Sequence, residues 1–72
     1  MKPNPTVSIL TTVYNRSQFL IDCIESVKRS KFEDYEHIIV DDASTDDSVA
    51  IARRYAAEDF RIKVFVNDQN LG

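Results

Sequence analysis

Glycine is almost missing from this 72-residue chain, and the single one is Gly72. A turn without glycine cannot wrap a pyrophosphate in the G-x-G-x-x-G or P-loop manner, so both fingerprints are excluded. Cysteine is equally scarce. Cys23 stands alone, which leaves no disulfide framework or clustered-cysteine metal site within the chain and fits a cytosolic compartment. Basic charge is not in excess either: nine Lys and Arg against twelve Asp and Glu give a net charge of −3. A nucleic-acid partner, whose phosphates call for a basic stripe, is therefore not expected. No apolar run approaches the roughly 18 to 20 residues of a membrane span. The start, Met1-Lys2-Pro3-Asn4-Pro5, has no apolar region of signal-peptide type.

What is present suffices for one compact unit, with 43% hydrophobic residues and no room for a second domain. A unit of this size buries only about 60% of the surface its unfolded chain exposes, so its stability is marginal. Residues 1–5 read as an extended lead-in. Val7-Ser8-Ile9-Leu10-Thr11-Thr12-Val13 is rich in β-branched residues and reads as a first strand. Tyr14 to Gln18 break the pattern, with Asn15 or Ser17 suited to cap a helix. Phe19, Leu20, Cys23, Ile24 and Val27 then form one helical stripe, with Asp22, Glu25, Lys28 and Arg29 on the other face.

A second strand over residues 37–41 follows a polar connection. Its apolar run, Ile38-Ile39-Val40, breaks into Asp41-Asp42-Ala43-Ser44-Thr45-Asp46-Asp47. Ser44 to Asp47 have the form of a capping box, a hydroxyl followed three residues on by a carboxylate, and are expected to start a second helix. The inner stripe of that helix is Val49, Ala52, Tyr55 and Ala56, closed by Asp59 and Phe60. It should be the softer helix, because alanine contributes little burial. Residues 61–66 alternate charged and apolar side chains as a third strand, and a loop follows. The order β-α-β-α-β means an α/β fold with a parallel sheet and right-handed crossovers. A ligand then belongs beyond the carboxyl ends of strands one and two, at Thr12, Val13, Tyr14 and Asn15 and at Asp41, Asp42, Ala43 and Ser44. His37 and Cys23 read as structural residues.

Val7 to Asn15 and Ile38 to Asp46, at this spacing, resemble the paired motifs of family 2 glycosyltransferases. Asn67 to Gly72 is similar to the Asn-x-Gly that opens the family's next segment, so the resemblance covers nearly the whole chain. Thr12 stands where the family usually has proline, and Ala43 where it often has glycine. The resemblance implies the nucleotide-binding half of a Rossmann-like GT-A domain, with residues 1–72 forming one partial domain. It also implies a sugar nucleotide as donor, most often a UDP-sugar, and transfer with inversion to an acceptor hydroxyl, as in cell-wall or polysaccharide synthesis.

On that reading Asp42 accepts from uracil N3–H, Tyr14 stacks on the base and Thr12 lines the pocket. Asp41 beside them holds the loop or a ribose hydroxyl. The resemblance further implies Mg2+ or Mn2+ held by an Asp-x-Asp segment and a catalytic carboxylate. Neither is found in this sequence, so no metal ligand or catalytic residue is assigned, and the chain is expected to be an inactive N-terminal piece of a cytoplasmic enzyme, possible also at the membrane's cytoplasmic face. Uncovered apolar faces would favour a homo-oligomer. Two other classes stay open, a non-catalytic nucleotide-binding module and a receiver-type phosphoacceptor domain. The second is disfavoured because strand one does not end in an acid pair.

Overall fold

The computed structural model describes residues 7–30 and 33–68. The lead-in 1–5 and the glycine-bearing end of the Asn-x-Gly segment lie outside the described residues. The elements run β1 (Val7–Val13), α1 (Ser17–Lys28), β2 (Tyr35–Asp41), α2 (Ser48–Glu58) and β3 (Ile62–Val66). All three strands are parallel, in the order β1-β2-β3. No helix among the described residues is long and apolar enough to cross a membrane.

Alternation along the strands decides which face each side chain takes. In β2 Tyr35, His37, Ile39 and Asp41 are buried, while Glu36, Ile38 and Val40 between them are only half-buried. The buried set faces the helices. Val13, Ile39 and Ile62 from the strands meet Leu20 and Ile24 of α1 and Ala52 of α2 in one core, with Ile51, Tyr55, Ala56 and Val64 packed at its edge. Both helices therefore cover the same side of the sheet, as two right-handed crossovers in one direction require. The opposite side carries the rows Leu10–Ile38–Lys63 and Thr12–Val40–Phe65. Leu10 is 66% and Phe65 56% exposed there.

Several boundaries differ from the sequence expectation. β2 begins at Tyr35 rather than residue 37, because Tyr35 is buried under the Arg61 guanidinium, 4.4 Å from its ring centre, and pairs with Val7. β3 begins at Ile62, one residue late. Neither Asn15 nor Ser17 caps α1; Arg16 occupies the cap position without a side-chain hydrogen bond. Phe19 is half-exposed although it fits the stripe, since Leu20 beside it takes the core position. Cys23 is half-buried rather than a full core residue. The capping box at Ser44 does not form, because α2 starts only at Ser48.

Candidate functional site at the carboxyl rim of the sheet

The three strands end level with one another, and their last residues are joined. The Asp42 N–H donates to the Val13 carbonyl at 2.8 Å, carrying the β1–β2 ladder one residue past the strands. The Asn67 N–H donates to the Asp41 carbonyl at 2.8 Å and does the same for β2 and β3. Asn67 also donates through Nδ2 to Asp42 Oδ1 at 3.2 Å. Asp42 is thus held through its backbone from β1 and through its carboxylate from Asn67, the residue after β3.

Asp41 and Asp42 are adjacent in sequence and opposite in environment, as strand alternation requires. Asp41 points to the helix side and is 1% exposed; its Oδ2 accepts the Ser44 N–H at 2.7 Å. Its Oδ1 is buried with no hydrogen-bond partner among the described residues. Asp42 is half-buried on the side away from the helices, the side that also carries Thr12. Tyr14, one residue past β1, keeps 45% of its surface exposed at the same end of the sheet. The rim therefore gathers Thr12, Tyr14 and Asp42 where a ligand can reach them, while Asp41 lies beneath and holds the loop.

That loop is shaped by contacts the sequence gives no local sign of. Asn15 and Ala43 both have positive φ, 51° and 65°. Such a conformation costs an ordinary residue about 1–2 kcal/mol, which explains why glycine suits the position of Ala43. Asn is among the residues that tolerate it, a signal present at position 15 but overshadowed by the helix-cap reading. Asn15 Oδ1 accepts from the Thr45 N–H at 2.7 Å and the Asp46 N–H at 3.3 Å, and the Asn15 N–H donates to Ser44 Oγ at 2.9 Å. The Ser44 N–H goes to Asp41 and the Ser44 Oγ accepts from Asn15, so neither half of a capping box forms at Ser44, and α2 starts later, at Ser48. Asp46 then accepts the Ser48 N–H at 2.9 Å; hydrogen bonding from Ser48 holds its carboxyl below the ordinary value.

The model of one known family, described as glycosyl transferase family 2, matches residues 8–72. The chain belongs to that family. Among relatives of this family 2 chain, EpsE of Bacillus subtilis, which is named as a glycosyltransferase, is 39% identical over 71 residues, covering 97% of this chain and 26% of EpsE. The glycosyltransferase GlyG of Streptococcus pneumoniae is 32% identical over 66 residues, 92% of this chain and 22% of GlyG. Chondroitin synthase of Escherichia coli is 36% identical over 72 residues, 100% of this chain and 10% of the synthase. The chain thus spans about a quarter or less of the length of these curated relatives.

In structure it is similar to a mannosyltransferase of Pyrobaculum calidifontis solved with GDP-Man and Mn2+, with a TM-score of 0.83 at 20% identity, over 96% of this chain and 21% of that one. The β-α-β-α-β sheet is thus of the GT-A type. A divalent metal accompanies that neighbour, yet among the described residues of this family 2 chain no group of three His, Cys, Asp or Glu could hold one. Asp41 and Asp42 do not make a pair for it. They face opposite sides of the sheet, and one oxygen of each is taken by Ser44 or Asn67.

Proposed function

We propose that this chain is the nucleotide-binding part of an inverting glycosyltransferase that takes a sugar nucleotide, with uridine as the preferred base, and passes the sugar to an acceptor hydroxyl. The observation that supports it is Asp42, fixed by Asn67 at the strand end on the same side of the sheet as Thr12, with Tyr14 exposed beside it. Uracil presents an N3–H donor between two carbonyl acceptors, so a fixed carboxylate can accept from it while a neighbouring ring stacks on the base. Cytosine offers an acceptor at N3 and is repelled. Thymine and guanine both offer a donor to the same carboxylate, and GDP-Man in the fold neighbour keeps guanine as the second candidate.

Thr12 lines this pocket, and Asp41 serves it from below through Ser44. Mg2+ or Mn2+ against the diphosphate, and the carboxylate that activates the acceptor, belong to parts of the enzyme other than the described residues. The setting that fits is polysaccharide synthesis in the cytoplasm or at the membrane's cytoplasmic face. Calorimetry with UDP on the chain and on Asp42→Ala tests the pocket. Loss of a charged hydrogen bond should weaken UDP by about 1.5–3 kcal/mol, roughly tenfold or more. Equal affinity in the two proteins would remove Asp42 from the site.

A further inference from the structure

Asn15 is exposed, has no place in the core, and yet is tied to the distant loop after β2 by hydrogen bonds from both its backbone and its side chain. Its amide oxygen faces three donors of the loop after β2: the Thr45 N–H at 2.7 Å, the Asp46 N–H at 3.3 Å and the Thr45 hydroxyl at 3.4 Å. Its own N–H reaches Ser44 Oγ at 2.9 Å. Ser44 is in turn tied through its N–H to buried Asp41. A continuous chain of contacts therefore runs Asp41–Ser44–Asn15–Thr45, closing the β2 loop against the turn after β1. The two residues framed by that closure are Tyr14, immediately before Asn15, and Asp42, immediately after Asp41.

We infer that Asn15 is a positioning residue for the nucleotide pocket: its amide oxygen fastens the 43–46 loop onto the β1 turn and so, together with the Val13 and Asn67 contacts to Asp42, holds the ring of Tyr14 and the carboxylate of Asp42 at a set spacing. This rests on the nucleotide reading given above. The left-handed backbone at Asn15 makes the inference separable from a purely conformational role. Glycine at this position keeps the φ of 51° without steric cost and removes the acceptor. Aspartate keeps the acceptor and, like asparagine, tolerates the conformation. Both variants should fold, but only one should bind normally.

The test compares the chain with Asn15→Gly and Asn15→Asp by amide hydrogen exchange, thermal melting and NMR titration with UDP and with uridine, which carries no phosphate to be repelled by an added charge. In Asn15→Gly the Thr45 and Asp46 amides should lose protection and nucleotide affinity should fall about tenfold, with the melting temperature close to that of the unsubstituted chain. In Asn15→Asp the protection and the uridine affinity should return. Unchanged affinity in Asn15→Gly overturns the inference and leaves the nucleotide reading standing. A weaker affinity that tracks a lower melting temperature and is not rescued by Asn15→Asp shows a merely structural role and also overturns it. No response to UDP or uridine in the unsubstituted chain overturns the nucleotide reading and this inference with it.

Discussion

At the scale of single residues, His37 shows how burial turns a titratable group into part of the core. It is 1% exposed, contacts the Thr11 hydroxyl through Nε2 at 2.8 Å, and leaves Nδ1 with no partner among the described residues. Burial disfavours the charged ring and pushes its pKa below the ordinary 6.5. Above pH 6.5 the ring is neutral whether or not the chain is folded, so nothing is lost. As the pH falls below 6.5 toward the depressed folded value, the unfolded chain takes up a proton that the folded chain refuses, and stability declines. The carboxylates act in a separate window. Asp59, hydrogen-bonded by Arg61, and Asp46, bonded by Ser48, both titrate below their ordinary 3.8, so their contribution is complete above 3.8 and disappears as the pH drops through the folded values. Urea denaturation between pH 7.5 and 5 should show a loss of stability in the unsubstituted chain, and a smaller loss in His37→Leu; an equal slope in both would show that His37 does not carry it.

At the scale of elements, the two helices are held unequally. α1 places Leu20 and Ile24, both 0% exposed, into the core, whereas α2 contributes Ala52 and the edge residues Ile51, Tyr55 and Ala56. Removing one methylene from a closed core site costs about 0.5–1.5 kcal/mol. Against a total of about 4–11 kcal/mol for a chain of this length, that is a measurable fraction. Ile24→Val should therefore lower the urea midpoint clearly, and Ile51→Val, at a half-buried position, by less; the reverse order would mean that α2 is the anchor. Such differences were legible where the pattern is local. β1 follows its expected bounds because seven apolar and hydroxyl residues are followed within two positions by the turn former Asn15, and the weaker stripe of α2 is visible in its alanines. The start of α2 was not legible. Ser44 to Asp47 satisfy the local rule for a helix start, but Asn15, about thirty positions away, donates to the Ser44 hydroxyl and Asp41 takes the Ser44 N–H, so neither half of the capping box closes. The candidate site divides the same way. Strand alternation puts Asp41 and Asp42 on opposite faces, but only the β3 pairing that delivers Asn67 to Asp42 shows what fixes the carboxylate.

At the scale of the whole molecule, the described residues cover the sheet on one side only. Leu10 and Phe65 stand out from the other side, with Ile38 and Val40 between them, and among the described residues β1 and β3 are the edge strands. Exposed apolar area of this kind favours association. Fully burying an exposed leucine or phenylalanine side chain is worth about 1.5–3 kcal/mol, and with Leu10 66% and Phe65 56% exposed the two from each of two copies supply about 4–7 kcal/mol. Bringing two molecules together costs about 4–15 kcal/mol, so the balance is narrow and the assembly weak. The expected behaviour is a concentration-dependent equilibrium between monomer and dimer. Light scattering over a range of concentrations should show the mass rising in the unsubstituted chain. In Leu10→Lys/Phe65→Lys the rise should be suppressed while the circular dichroism stays the same, because neither side chain belongs to the core beneath the helices. Persistence of the dimer in that variant would move the contact to the edge strands, where backbone pairing does not depend on the side chains of the face.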